Sequence, residues 1–174
     1  MMPDTDAKPM KFYSNKQEKT LSDSLGWKQI GGSGAAPCAP GDIKASEWLG
    51  ECKTHTKEHS IYFDISVWTK IKNEAFGHNK KPVLFVDNGT QSEAHTWCLC
   101  MDKNINQSSL LVVDLPFAVR KNISFDDKKG HDALHTVYKR YVGEFYQGVV
   151  FHCKWENEDV LIMLFETFKG VYKK

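Results

Sequence analysis

The 174 residues, 41% of them apolar and five of them tryptophan, suit one packed domain and exclude a disordered chain. A net charge of +1 leaves no global basic field for nucleic acid, so any such footprint must be local. No apolar run approaches the length of a membrane span, Met1 to Met10 lacks the apolar stretch of a signal peptide, and five cysteines without framework spacing suit reduced thiols. The expected protein is soluble, cytoplasmic and without a membrane partner.

Residues 1–13 read as a disordered lead-in and residues 14–174 as one domain, in which 14–90 carries a core pattern and 91–174 an extension. A helix is expected from Ser14, which can cap it with Gln17 at the reciprocal capping-box position. Glu18, Leu21 and Leu25 share one face of that helix, and Gly26 stops it. Trp27 to Ile30 reads as a first strand. The loop Gly31-Gly32-Ser33-Gly34-Ala35-Ala36-Pro37 follows. It lacks the Gly-Lys-Ser/Thr of a nucleotide-phosphate cradle. Its small residues, Ser33 and Gly34 at the centre, would let a DNA backbone approach closely, with Ser33 Oγ and nearby amides on phosphate. A plain connector is the alternative.

A short strand opens on Asp42, and a second strand carries Glu51 and Lys53. Strand side chains alternate, so Glu51 and Lys53 share a face and Cys52 takes the other, toward the core. A hairpin between the two strands brings Asp42 beside Glu51. Two carboxylates with an adjacent ammonium suit a hard cation such as Mg²⁺ and an attack on phosphate. An exposed ion pair on a strand is the plain reading of the triplet alone.

Lys57 and His59, in the polar stretch that follows, are candidate phosphate contacts. Ile61 to Gly77 holds a helix that starts at Asp64, with Ile65, Trp68, Ile71 or Lys72, and Ala75 near helical spacing, and with Lys70 and Lys72 on its outer faces. Pro82 to Val86 is an unbroken apolar run, expected to be a central strand buried on both faces. Further strands are expected at Ala94 to Met101 and Ser109 to Leu115, and a helix at His131 to Gln147. An apolar hairpin from Gly148 to Trp155 and Asp159 to Phe168 closes the chain. His95, Cys98 and Cys100, the pair His131 and His135, and His152 with Cys153 are the alternative metal ligands, for zinc. Cys98 and Cys100 would share a strand face, which also suits core packing.

The order Glu18, Ser33-Gly34, Gly41-Asp42, Glu51-Cys52-Lys53-Thr54 resembles the PD-(D/E)xK nuclease superfamily, and within it the Holliday junction resolvase group of archaeal and phage type. The resemblance covers Lys11 to Asn88, with Gly41 where the superfamily name has proline. It implies a restriction-endonuclease-like α/β sandwich with a central mixed sheet, here elaborated C-terminally. It also implies a Mg²⁺-dependent endodeoxyribonuclease, with Mn²⁺ able to substitute. Asp42, Glu51 and Glu18 would hold the metal, Lys53 would act on the attacking water, and Ser33, Gly34 and Lys57 would contact DNA. The implied partners are branched or junction DNA and a second copy of the chain, in recombination or repair in a prokaryote or phage. The alternatives are a restriction-like, repair or homing-type endonuclease with the same core, or a nucleic-acid binder that retains the fold without cutting. A third is a protein-interaction module marked by exposed aromatics such as Trp155 or Tyr172.

Overall fold

The computed structural model describes residues 10–31, 40–54, 60–119, 122–126 and 148–173. They form α1 (Met10–Leu25), β1 (Lys28–Gln29), β2 (Ile43–Lys44), β3 (Trp48–Thr54), β4 (Ser60–Phe63), α2 (Ile65–Gly77) and β5 (Lys81–Asp87). There follow β6 (Thr96–Met101), β7 (Leu111–Val119), β8 (Ile123–Asp126), β9 (Val149–Trp155), β10 (Glu158–Leu164) and α3 (Phe165–Val171). Among the described residues no helix is long and apolar enough to cross a membrane.

Eight strands make one mixed sheet in the order β1-β2-β3-β5-β6-β10-β9-β7, so the fold is α/β as expected. β3 and β5 run parallel, and α2 supplies the crossover that a parallel pair requires. β7 and β9 are also parallel, and the other neighbours in the sheet are antiparallel. β4 and β8 form a separate two-stranded ribbon. After residue 95, β6, β10, β9 and β7 continue the same sheet from β5 outward, and β8 does not.

The period of two along the strands divides the core into two layers. Leu49, Leu84, Val86 and Leu99 pack on one face against Trp68, Ile71 and Ala75 of α2. Trp48, Cys52, Val83, Phe85, Cys98 and Cys100 pack on the other, under Leu21 and Leu25 of α1 and Phe165, Phe168 and Val171 of α3. β5 is buried on both faces because it lies between β3 and β6. Its continuous apolar run follows from that position.

Several boundaries differ from expectation. α1 begins at Met10, so residues 10–13 belong to the helix and Ser14 is not its cap. Gln17 is buried on β3 instead of closing a capping box. The first strand shortens to Lys28–Gln29, because Trp27 turns into the core between Trp48, Phe85 and Tyr172. The stretch before α2 is the strand β4, while the helix starts at Asp64 as expected, where Asp64 accepts the N–H groups of Ser66 and Val67. That capping draws the Asp64 carboxyl below its ordinary range, chiefly through the Ser66 side chain. The closing strand ends at Leu164, and Phe165–Val171 is helical.

Candidate active site

The hairpin that joins β2 to β3 sets the site. Gly41 has φ +65°, and its N–H donates to Glu74 Oε2 of α2 at 3.0 Å. Both facts exclude proline here, since its ring fixes φ near −65° and removes the donor. The backbone N–H of Asp42 then donates to the Gly50 carbonyl at 2.8 Å. Two residues further along β3, the Asp42 side chain takes over from the backbone: Oδ2 accepts the Cys52 N–H at 2.8 Å. Asp42 thus precedes β2 rather than opening it, and its carboxylate continues the ladder that β2 leaves.

Glu51 and Lys53 share the α2 face of β3, as their spacing predicts. Lys53 Nζ lies 2.6 Å from Glu51 Oε1. Glu51 is 3% exposed, and its second oxygen, Oε2, is buried with no hydrogen-bond partner among the described residues. An orphaned carboxylate oxygen at that depth is costly unless a cation or donor meets it. Burial alone would lower the Lys53 pKa. The charge and hydrogen bond of Glu51, with Asp42 beyond, outweigh burial and raise it. Lys53 is therefore a fixed ammonium that orients and neutralises; it cannot accept a proton at neutral pH.

α1 brings the fourth group. Gln17 Nε2 donates to the Lys53 carbonyl at 2.9 Å and ties the helix to β3. Glu18, the next residue, has its carboxyl raised to about 7, first by burial and then by the charges of Asp42 and Glu51, with Lys53 pulling the other way. The three carboxylates and the ammonium named from the sequence are thus within electrostatic reach of one another. Among the described residues no three His, Cys, Asp or Glu side chains form a ready metal centre.

Other readings resolve differently. Ser33, Gly34 and Lys57, the expected DNA contacts, lie outside the described residues, as do His59, His131 and His135. Cys98 and Cys100 are free, buried core thiols. His152 bridges Asp114 and Asp159, and Cys153 is buried on the opposite layer. Cys52 faces the α1 layer, and burial, with Asp42 next, raises its thiol pKa well above the ordinary value. It is no nucleophile.

Sequence reasoning missed Gln17, Lys70 and Glu74. Lys70 Nζ stands 3.6 Å from Glu51 Oε1 and 3.8 Å from Glu74 Oε1, and so faces the site. Lys72 pairs with Glu158 of β10. The available signal was the i, i+4 pair Lys70 and Glu74 bordering the buried stripe of Trp68, Ile71 and Ala75. Beside Lys53, a cavity of about 200 Å³ opens between Thr54, Tyr62, Asp64 and Val67, with Leu84 and Val86 as its floor. No protein-family model, curated protein or solved structure matches the chain.

Proposed function

We propose that this protein is a metal-dependent DNA endonuclease with the restriction-endonuclease-like core of the PD-(D/E)xK superfamily, acting on branched DNA as a homodimer. The observation that carries the reading is Glu51, a buried carboxylate with one oxygen on Lys53 and the other without a hydrogen-bond partner among the described residues, its charge felt with that of Asp42 at Glu18. A binding module gains nothing from burying a carboxylate in that state. The residues fit Mg²⁺, which binds through one or two carboxylates and completes its shell with water and substrate phosphate. Glu51 Oε2 and the carboxylates of Glu18 and Asp42 would hold it, and Mn²⁺ would substitute. When bound, the ion would lower the pKa of water and neutralise charge on the phosphate and leaving oxygen.

The chain's own groups have separate duties. Asp42 is held by the Cys52 amide, so it meets substrate in a fixed orientation. Lys53 keeps Glu51 Oε1 in place and orients the attacking water by donation. Glu18, with its carboxyl raised to about 7, must give up its proton for a cation to bind there, so metal binding is coupled to pH. Trp155 is buried and the Tyr172 hydroxyl donates to the Leu25 carbonyl, so neither serves as an exposed anchor for a protein partner. Symmetric cutting of a four-way junction needs two such sites, hence the second copy.

The test is cleavage of a labelled four-way junction, a nicked duplex and a linear duplex in Mg²⁺, by the wild type and by Glu51→Ala. Paired, symmetric junction cuts that vanish in the variant are expected. Cutting of duplex or nick alone would keep the residues and replace the substrate with that of a restriction-like, repair or homing-type enzyme. Binding with no cutting in Mg²⁺ or Mn²⁺ would leave a nucleic-acid binder.

A further inference from the structure

We infer that α2 supplies a second cation to the nuclease site: Lys70 contacts the reacting phosphate, and Glu74 holds it there while anchoring the Asp42 turn. The inference rests on the endonuclease reading above. Lys53 Nζ is committed to Glu51 Oε1 at 2.6 Å. Lys70 Nζ approaches the same oxygen only to 3.6 Å, beyond a hydrogen bond, and its side chain is 56% exposed. Its ammonium is thus near Glu51 without a hydrogen bond to it and remains accessible to solvent. A lysine ammonium on a flexible stem is suited to meet a phosphate as a point charge.

Glu74 links this cation to the catalytic turn. Its Oε1 lies 3.8 Å from Lys70 Nζ, and its Oε2 accepts the Gly41 N–H at 3.0 Å. One carboxylate thus hydrogen-bonds the residue before Asp42 and lies in ion-pair range of the lysine facing Glu51. The chain Gly41, Glu74, Lys70, Glu51 and Lys53 is continuous in space although it comes from three elements. The two cations divide the work: Lys53 serves Glu51 and the water, and Lys70 serves the phosphate. Glu74 is a positioning residue, and Lys70 is a catalytic one.

The experiment compares Lys70→Ala, Lys70→Arg and Glu74→Gln with the wild type in two readouts. The first is single-turnover cleavage of labelled DNA in Mg²⁺. The second is the salt dependence of binding to the same DNA in EDTA, where no cutting occurs. Lys70→Ala is expected to slow cleavage at saturating DNA by at least about tenfold and to reduce the log–log salt slope by about one, the share of one phosphate contact. Lys70→Arg keeps the charge and is expected to stay within about threefold of the wild type. Glu74→Gln can still accept from Gly41, so it should fold normally yet slow cleavage as it releases Lys70. A wild type that cuts while Lys70→Ala matches it within twofold, with an unchanged slope, overturns the role of Lys70 and leaves the nuclease reading standing. A wild type that cuts no DNA overturns the nuclease reading and the inference with it.

Discussion

The carboxylate of Asp42 accepts the backbone N–H of Cys52 at 2.8 Å, so a side chain does the work of a strand at the point where β2 gives out. The same atoms that seat the proposed catalytic carboxylate therefore close the hairpin, and structure and chemistry can be separated by choice of substitution. Asp42→Asn retains an oxygen for the Cys52 amide and is expected to change unfolding free energy by no more than about 1 kcal/mol. Asp42→Ala leaves a buried N–H unpaired and is expected to cost about 1–3 kcal/mol. Both should abolish cleavage. Urea denaturation beside an activity assay reads the two effects apart.

Glu18 makes stability depend on pH in a defined direction. Its carboxyl sits at about 7 in the folded chain against an ordinary value of 4.5, so between those values the native state binds more protons than the unfolded one. Stability must then fall as pH rises through that window and level off above it. Glu18→Gln removes the Glu18 contribution and should stabilise the protein at pH 8 relative to the wild type. Asp42→Asn should lower the Glu18 midpoint, since one of the like charges that raise it is gone. Thermal melts at pH 5 and pH 8 without metal check both statements.

Activity should move oppositely. A cation competes with the proton on Glu18, so at low Mg²⁺ the cleavage rate is expected to climb as pH passes through about 7. At saturating Mg²⁺ the midpoint should shift to lower pH. Rate profiles at two metal concentrations measure the shift.

Much of this was legible in the chain. Period-two alternation put Glu51 and Lys53 on one face and Cys52 on the other, and the apolar run at Pro82 to Val86 announced a strand buried on both sides. Asp64 and the stripe of Trp68, Ile71 and Ala75 marked α2. What the pattern did not carry was contact between distant segments. Gln17 looked like a capping residue because local rules cannot see β3, whose carbonyl it meets 36 positions away. Lys70 looked solvated because its partner Glu51 lies on another element. The β4 strand went unnamed because Ile61 to Phe63, ahead of the helix start at Asp64, shows too short a pattern, and only pairing with β8 marks it as a strand.

Gly41 tests the geometry of the turn. A Cβ there would lie 3.0 Å from the Gly50 carbonyl oxygen and from Leu49 Cδ1, on a backbone at φ +65°. Gly41→Ala is expected to destabilise the fold by about 1–3 kcal/mol. Gly41→Pro should be worse, since it cannot reach that φ and removes the donor to Glu74. Proline at this position is thus excluded by the turn. Denaturant midpoints of the two variants decide it.

The central claim is that Glu51 is the metal-holding carboxylate of a DNA-cutting site, and the most direct measurement is single-turnover cleavage by the wild type and Glu51→Gln, each in Mg²⁺ and in EDTA. The expected result is cutting by the wild type in Mg²⁺ alone and a loss of at least about 100-fold in the variant, with its fold retained by circular dichroism. Cutting by Glu51→Gln at the wild-type rate, or no cutting by the wild type with Mg²⁺ or Mn²⁺, would contradict it.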